Sequence, residues 1–553
     1  MFIYLVRFIT NILDHSVKSH IRWSLGFIKH YWLQLGIYLI TEVFSLASTL
    51  FFIWMSKQAI DSAQHGNAQD VTTSLYWVVI SLITSFITSL LGNRLNERTK
   101  AAMLINLQNQ ITSHQMNAKW KQTSDWHTGD ILVRMNVDSQ ETIQLLGNVW
   151  ISVIITIIKI IASLSLLYWM DPLLALLLVG ICPLIILSKS FFKRLRKLTK
   201  TLKEQEGELG KVLQENFRNR LFIRSVNWES LRWDKVQKNQ ESIYLKKLKL
   251  LDFSTFSKGT LGIVMQLSYL VTFIWGVNKL HSAEITFGTM SAFLQLVGRI
   301  QGPLITLMNY VPLLVRSRTS LDRVMDVLQV DVEERTQEDK LDFIDRISLK
   351  NITFRYNNET LLNDVNMEFH KGQPVAVFGP SGKGKSTLLR IIMGLFPPEE
   401  GCVKLHKGNL ELFMKESYRC NFAYVPQGDK LLSGTIRENL VLSHKFHKAN
   451  DIREALILAC ADFVFELPNG IDTIVGEGGY GLSEGQAQRI GIARAILQGS
   501  NVWLFDEITS SLDEPTSLRL VTNLIEKGRD KIVVFVTHDK ILSRFCNSIY
   551  KMG

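Results

Sequence analysis

Six apolar runs fill the first part of the chain, over residues 33–55, 75–91, 150–170, 173–187, 259–275 and 287–315. Most approach the ~20 residues that a helix needs to cross a bilayer. Aromatic residues sit at several of their ends, at Tyr31-Trp32, Trp54, Tyr76-Trp77, Tyr168-Trp169 and Trp275. Interfacial anchors belong there. The runs predict six spanning helices. Residues 1–13 are also apolar, with Arg7 the only charge, but are too short to span. No small-residue cleavage site follows, so they predict a helix lying at the membrane surface.

Charge orients the spans. Residues 61–74 contain no Lys or Arg, nor does the turn Met170-Asp171-Pro172, and residues 278–284 contain only Lys279. Residues 93–147 and 189–258 are long and rich in Lys and Arg. The positive side is cytosolic, which places both termini inside. The two basic stretches read as helical extensions of the spans. The net charge of +11 therefore points to an anionic membrane face and away from nucleic acid. The five cysteines show neither metal-ligand spacing nor a disulfide framework. Glu42, Lys159 and Arg299 fall within the spans, where charge is costly. They form either a polar patch in a translocation cavity or an ion pair of Glu42 with Lys159 or Arg299. In a cavity, two cations against one carboxylate favour an amphipathic substrate with an anionic group.

Residues 331–342 are polar and mostly acidic, a linker. From Ile347 short strands alternate with helices, the α/β pattern. The expected domains are thus 1–330, six-helix transmembrane with cytosolic extensions, and 343–553, α/β. The second contains Gly379-Pro380-Ser381-Gly382-Lys383-Gly384-Lys385-Ser386-Thr387, between an apolar run, 375–378, and a helical one, 388–393. Strand, glycine loop and helix start form a phosphate cradle of backbone N–H groups at a helix N-terminus. Lys385 would neutralise the β- and γ-phosphates, and Ser386 would hold Mg²⁺. Downstream, Val502-Trp503-Leu504-Phe505-Asp506-Glu507 is a hydrophobic strand ending in two acids. Asp506 suits Mg²⁺ and Glu507 the attacking water.

Between these lies Leu482-Ser483-Glu484-Gly485-Gln486, leading into Ala487-Gln488-Arg489-Ile490-Gly491-Ile492-Ala493-Arg494-Ala495. Here the chain resembles the ATP-binding cassette (ABC) transporters, whose signature reads Leu-Ser-Gly-Gly-Gln. The resemblance implies that Ser483, Gly485 and Gln486 contact ATP held by an opposite subunit. Glu484 departs from the family glycine and is expected to point away from the nucleotide. The resemblance further assigns Tyr356 to adenine stacking and Gln427 to the Mg²⁺ site and its link to the membrane domain. His538 becomes the γ-phosphate sensor. Ser510-Ser511-Leu512-Asp513 matches the loop crossing the dimer, and residues 475–479 an exporter-specific loop. In the membrane half, residues 284–293 and Gly129-Asp130-Ile131-Leu132-Val133-Arg134 with Asp138 look like exporter patterns. The likeness runs from about residue 20 to the end. The chain stops at Gly553, fifteen residues after His538, sooner than most relatives.

The family likeness implies an all-α six-helix transmembrane domain fused to an α/β P-loop NTPase of the ABC ATPase kind. One such ATPase cannot complete an ATP site, so a dimer of half-transporters is expected. A homodimer is simplest, because Glu507 and His538 are both present; a heterodimer with this chain as the intact partner is the variant. The expected activity is ATP-driven export or flipping of an amphipathic lipid, drug or peptide across the cytoplasmic membrane. The rival reading is an ATP-gated channel or regulator. Residues before the first span leave no room for a peptidase domain, which disfavours a processing peptide exporter.

Overall fold

The computed structural model describes every residue except 1–14, 65–67, 125, 127, 187–188, 334–336, 357–358, 381, 429–430, 442–446, 477–478, 480, 540–541, 543 and 553. The surface helix expected over residues 1–13 lies outside the described residues. The chain divides into two units. One comprises Met1–Met116 and Trp126–Gln329, the other Asn117–Asp125 and Val330–Gly553.

The first unit is helical. Each apolar run falls on a helix: Trp32–Gln64, Ala68–Asn117, Trp150–Met170, Pro172–Ile186, Glu229–His281 and Phe287–Leu328. Among the described residues four helices are long and apolar enough to cross a membrane: Trp32–Gln64, Ala68–Asn117, Thr128–Met170 and Glu229–His281. Their outward faces carry exposed Ile40, Phe44, Val79, Ile83 and Ile263. Water disfavours such continuous apolar faces, and lipid does not. Inward, Ile53, Leu167, Leu174, Phe293, Leu296 and Ile300 share one core.

Two polar contacts pin the ends of these helices. Asp171, buried in the turn after Met170, accepts hydrogen bonds from Trp275 Nε1 at 3.0 Å and Leu174 N at 3.1 Å. Lys279 Nζ lies 3.0 Å from the same carboxylate. The single lysine of that loop is thus paired. At the start of Phe287–Leu328, Thr286 Oγ1 accepts from Thr289 N, an N-cap. Gly288 N donates to Asp61 Oδ1 at 3.0 Å. A Cβ on Gly288 would lie 2.4 Å from both the Lys57 carbonyl oxygen and Asp61 Oδ1. Only glycine admits that approach, which explains the Phe287-Gly288-Thr289 sequence.

The second unit is α/β. In chain order its strands are β1 (Arg346–Tyr356), β2 (Glu359–His370), β3 (Val375–Phe378), β4 (Glu400–Lys407), β5 (Leu410–Phe413), β6 (Phe422–Val425), β7 (Gly434–Thr435), β8 (Ile474–Val475), β9 (Val502–Asp506), β10 (Ile532–Thr537) and β11 (Ser548–Lys551). β11, β3, β10, β9 and β6 lie side by side in that order, all parallel. Strands covered on both faces are apolar throughout. β9 and β10 are: every residue of each is buried. Their side chains alternate between two cores. Trp503, Phe505, Val533 and Phe535 face the core that holds Ile490 and Ile492. Val502, Leu504, Ile532 and Val534 face the core that holds Leu388, Phe354 and Phe369. The antiparallel sheet β2-β1-β4-β5 supplies the last two.

Register aligns the strand ends. Phe378 pairs with Thr537, Asp506 with Val536, and Val425 with Phe505. The loops after β3, β6, β9 and β10 therefore leave from one edge, where parallel α/β sheets hold their ligands.

Replacing Gly288 by valine is expected to cost about 1–3 kcal/mol through overpacking. The detergent-purified variant should melt several degrees below the parent. Gly36→Ala, where no atom lies within 4 Å of the added methyl, should not.

Candidate nucleotide site

β3 is followed by the glycine loop and then by helix Lys385–Ile392. Gly384 forms its N-cap at φ +85°, a left-handed conformation that glycine adopts without strain. A Cβ on Gly379 would lie 2.2 Å from the Met552 carbonyl oxygen. Pro380, Gly382 and Lys383 are exposed along the loop. Ser381 lies outside the described residues. Lys385 is nearly buried, and its Nζ donates to the carbonyls of Gly379 at 2.8 Å and Pro380 at 3.0 Å. The ammonium is thereby held at the mouth of the helix, where it adds to the helix dipole.

Glu507 is the first residue past β9, at φ +51°. Its strained backbone is fixed on all sides. Its N–H donates to the Val536 carbonyl at 2.9 Å, and its own carbonyl accepts from Gln488 Nε2 at 3.2 Å and Ser510 Oγ at 2.9 Å. Its carboxylate collects the loop ends. Gln427 Nε2 donates to Oε2 at 2.7 Å, while His538 Nδ1 and Lys385 Nζ lie 3.5 Å and 3.6 Å from Oε1. Three residues singled out in sequence thus meet on a fourth. Strain that the surroundings over-determine in this way is a mark of functional sites.

Asp506, next to it, is buried. Burial pushes its pKa above the ordinary value, Ser386 opposes this, and the neighbouring Glu507 charge adds to it. The Tyr424 hydroxyl donates to Asp506 Oδ2 at 3.4 Å, and burial pushes that phenol up as well. Asp506 Oδ1 is buried and has no hydrogen-bond partner among the described residues. An orphaned carboxylate oxygen beside a serine hydroxyl is a hard-oxygen donor set, which fits Mg²⁺. Gln427, also expected at the metal, is hydrogen-bonded to Glu507.

Ser483 N-caps helix Glu484–Gln498 through a capping box with Gln486: Ser483 Oγ accepts from Gln486 N, and Gln486 Oε1 accepts from Ser483 N at 2.9 Å. Gly485 is required, since a Cβ there would lie 2.7 Å from the Ser511 carbonyl oxygen. Ser483 and Glu484 are exposed, and Glu484 in the first turn complements the helix dipole. Among the described residues no hydrogen bond or ion pair joins Ser483, Gly485 or Gln486 to the phosphate loop. Glu477 and Gly478 of the loop ahead of the signature lie outside the described residues.

Tyr356, at the end of β1, lines a cavity of about 740 Å³ with Thr387, Arg390, Phe396, Trp120 and Ser124. Trp120 arrives from helix Trp120–Thr123, a part of the second unit that sequence reasoning passed over. Asp331 ties it down. Its N–H donates to Gln122 Oε1 at 3.0 Å, and its carbonyl accepts from Lys119 N at 2.9 Å. Ala118 bridges to Val332. The start of the expected linker is therefore a clip. Glu333 continues it with a two-point ion pair to Arg419.

Fold and site define a P-loop ATPase fused to a helical membrane unit. The family model of the ABC transporter transmembrane region matches residues 35–304, and that of the ABC transporter ATPase matches residues 362–510. The chain is 29% identical to an ABC transporter ATP-binding/permease protein of Haemophilus influenzae over 403 residues, 71% of each chain. It is 27% identical over 537 residues, 94% of this chain and 92% of the other, to a Staphylococcus aureus protein named for multidrug export. Its fold matches that of a bacterial Atm1-family ABC exporter with ATP bound, at TM-score 0.82, 18% identity and 94% of both chains. The chain belongs to the ABC transporters, with membrane region and ATPase in one polypeptide. It is a multi-pass membrane ATPase coupled to transport.

The aromatic rim of Tyr356 and Trp120 can stack a planar base, an interaction that contributes about 1–3 kcal/mol per base. Trp120→Ala and Tyr356→Ala should each raise the half-saturating ATP concentration about ten-fold in an ATPase titration. Unchanged titrations in both variants would remove the base from this cavity.

Proposed function

We propose that two copies of this chain form an exporter of amphipathic molecules, a lipid, drug or peptide, in the cytoplasmic membrane. Both termini and the ATPases lie in the cytosol on this reading, as the basic stretches favour. The observation that carries it is the convergence of Lys385, Gln427 and His538 on Glu507, while among the described residues no hydrogen bond or ion pair joins Ser483, Gly485 or Gln486 to that cluster. A charged catalytic cluster needs a phosphate stabiliser on its open side. An exposed helix N-terminus capped by Ser483 is such a group, and a second copy can present it.

The residues divide the work. The loop amides from Gly379 to Thr387 and the Lys385 charge bind the β- and γ-phosphates of ATP. Ser386 and Asp506 hold Mg²⁺, which supplies charge neutralisation on the phosphates when bound. Glu507, steered by Gln427 and His538, orients the attacking water and accepts its proton. Tyr356 and Trp120 hold the base. Closing two cassettes on ATP shifts the membrane helices between two states, and hydrolysis releases them. Intact Glu507 and His538 favour a homodimer over a gated channel or a pair with one damaged site.

Protein reconstituted in proteoliposomes should hydrolyse ATP and move a test amphiphile. Glu507→Gln should bind ATP but lose at least about 100-fold in turnover, and lose transport with it. Transport that survives Glu507→Gln, or ATP binding with parent and variant turning over equally slowly, would favour the gated channel instead.

A further inference from the structure

The first unit carries an open cavity of about 830 Å³, lined by Glu42, Lys159 and Arg299 among hydroxyl and apolar side chains. The three charges are not equivalent. Lys159 Nζ donates to Glu42 Oε2 at 2.8 Å, and Glu42 is buried. That pair is neutral as a whole, the interhelical partnership between Trp32–Gln64 and Trp150–Met170. Arg299, on helix Phe287–Leu328, has no ion pair or hydrogen bond to any described residue. Its charge is left over.

The surroundings of Arg299 are open. Gly298, Gly302 and Pro303 line the cavity beside it. A Cβ on either glycine would meet no atom within 4 Å. The cavity wall also carries a hydroxyl cluster. Thr49 Oγ1 and Ser85 Oγ lie 2.8 Å apart, and Ser45 Oγ is 3.3 Å from the same Ser85 oxygen. Leu46, Leu82 and Phe86 supply apolar surface next to it. The volume is that of a pocket for a drug-sized molecule.

A charge inside a membrane domain either pairs or faces a water-filled cavity, and Arg299, exposed on the cavity wall, is free to take a counter-charge there. Its planar donor fork matches carboxylate and phosphate oxygens two at a time. We infer that the counter-charge is brought by the transported molecule: Arg299 selects amphiphiles that carry a carboxylate or phosphate group on an apolar body. The hydroxyl cluster serves the polar atoms next to that group, and Leu46, Leu82 and Phe86 the body. The inference rests on the exporter reading above and deepens it. The anionic group has two sources, a soluble amphiphile or an acidic lipid headgroup.

The full-length protein in proteoliposomes tests this with a matched set, pyrenebutyrate, its uncharged amide and its amine analogue, read by stimulation of ATP turnover. A second arm compares flipping of fluorescent phosphatidylglycerol and phosphatidylcholine. A charge-assisted contact predicts half-maximal stimulation by pyrenebutyrate at about one-tenth the concentration of the amide. Arg299→Ala should erase that preference, and Arg299→Lys should keep part of it. Preference confined to the soluble probe identifies a free amphiphile; preference confined to phosphatidylglycerol identifies a lipid; either supports the proposal. Equal treatment of the three probes and both lipids by the parent overturns it, as does a preference that survives Arg299→Ala. Loss of assembly in Arg299→Ala with the preference intact would assign the counter-charge to a second copy, and also overturns it. If the parent responds to no probe and moves no lipid, the exporter reading fails as well.

Discussion

The second unit depends on one constraint: four parallel strands must end in register. Phe378, Thr537, Asp506 and Val425 end their strands within two residues of one another in register, at one edge of the sheet. Each is followed at once by a loop carrying a polar side chain. Because the strands are buried on both faces, their positions are set by two packed cores and cannot slide. The carboxylate of Glu507 then collects Gln427, His538 and Lys385 within 3.6 Å. Glu507 keeps a positive φ only because Val536, Gln488 and Ser510 hold its backbone groups. Gln488 belongs to the helix that Ser483 caps, so the signature helix and the Glu507 backbone are joined by a hydrogen bond within one chain.

In the membrane unit the governing constraint is the cost of charge away from water. Asp171 is offset by Lys279 and Trp275, and Glu42 by Lys159. Gly288 shows the same economy in space, since Asp61 reaches its amide only where no side chain intervenes. Arg299 stands apart from this pattern, and a substrate group is the natural place for its missing charge.

Much of this was legible in the chain. The strand, glycine loop and helix around Gly384 were readable because each step has its own residue chemistry: β-branched, glycine, then helix former. The acids after β9 were readable because an apolar run ended abruptly in charge. All six apolar runs lie on helices as expected. Other features depend on partners far away in sequence. Nothing in Lys119-Trp120-Lys121-Gln122 announces that Asp331 will clip it, or that Trp120 will face Tyr356. The choice of Lys159 over Arg299 as the partner of Glu42 depends on helix rotation, which hydropathy does not encode. The positive φ of Glu507 follows from tertiary hydrogen bonds, and no local sequence signal asks for it.

The central claim is that each ATP site is built from the phosphate loop of one copy and the signature of another. Co-expression of two inactive variants tests it directly. One carries Lys385→Ala, the other Ser483→Arg. In a mixed dimer with shared sites, the Ser483→Arg copy still supplies an intact phosphate loop, and the Lys385→Ala copy an intact signature. One whole site results, and the purified mixture should hydrolyse ATP although neither variant does so alone. A mixture as inactive as its parts would place the complete site within a single chain and contradict the account.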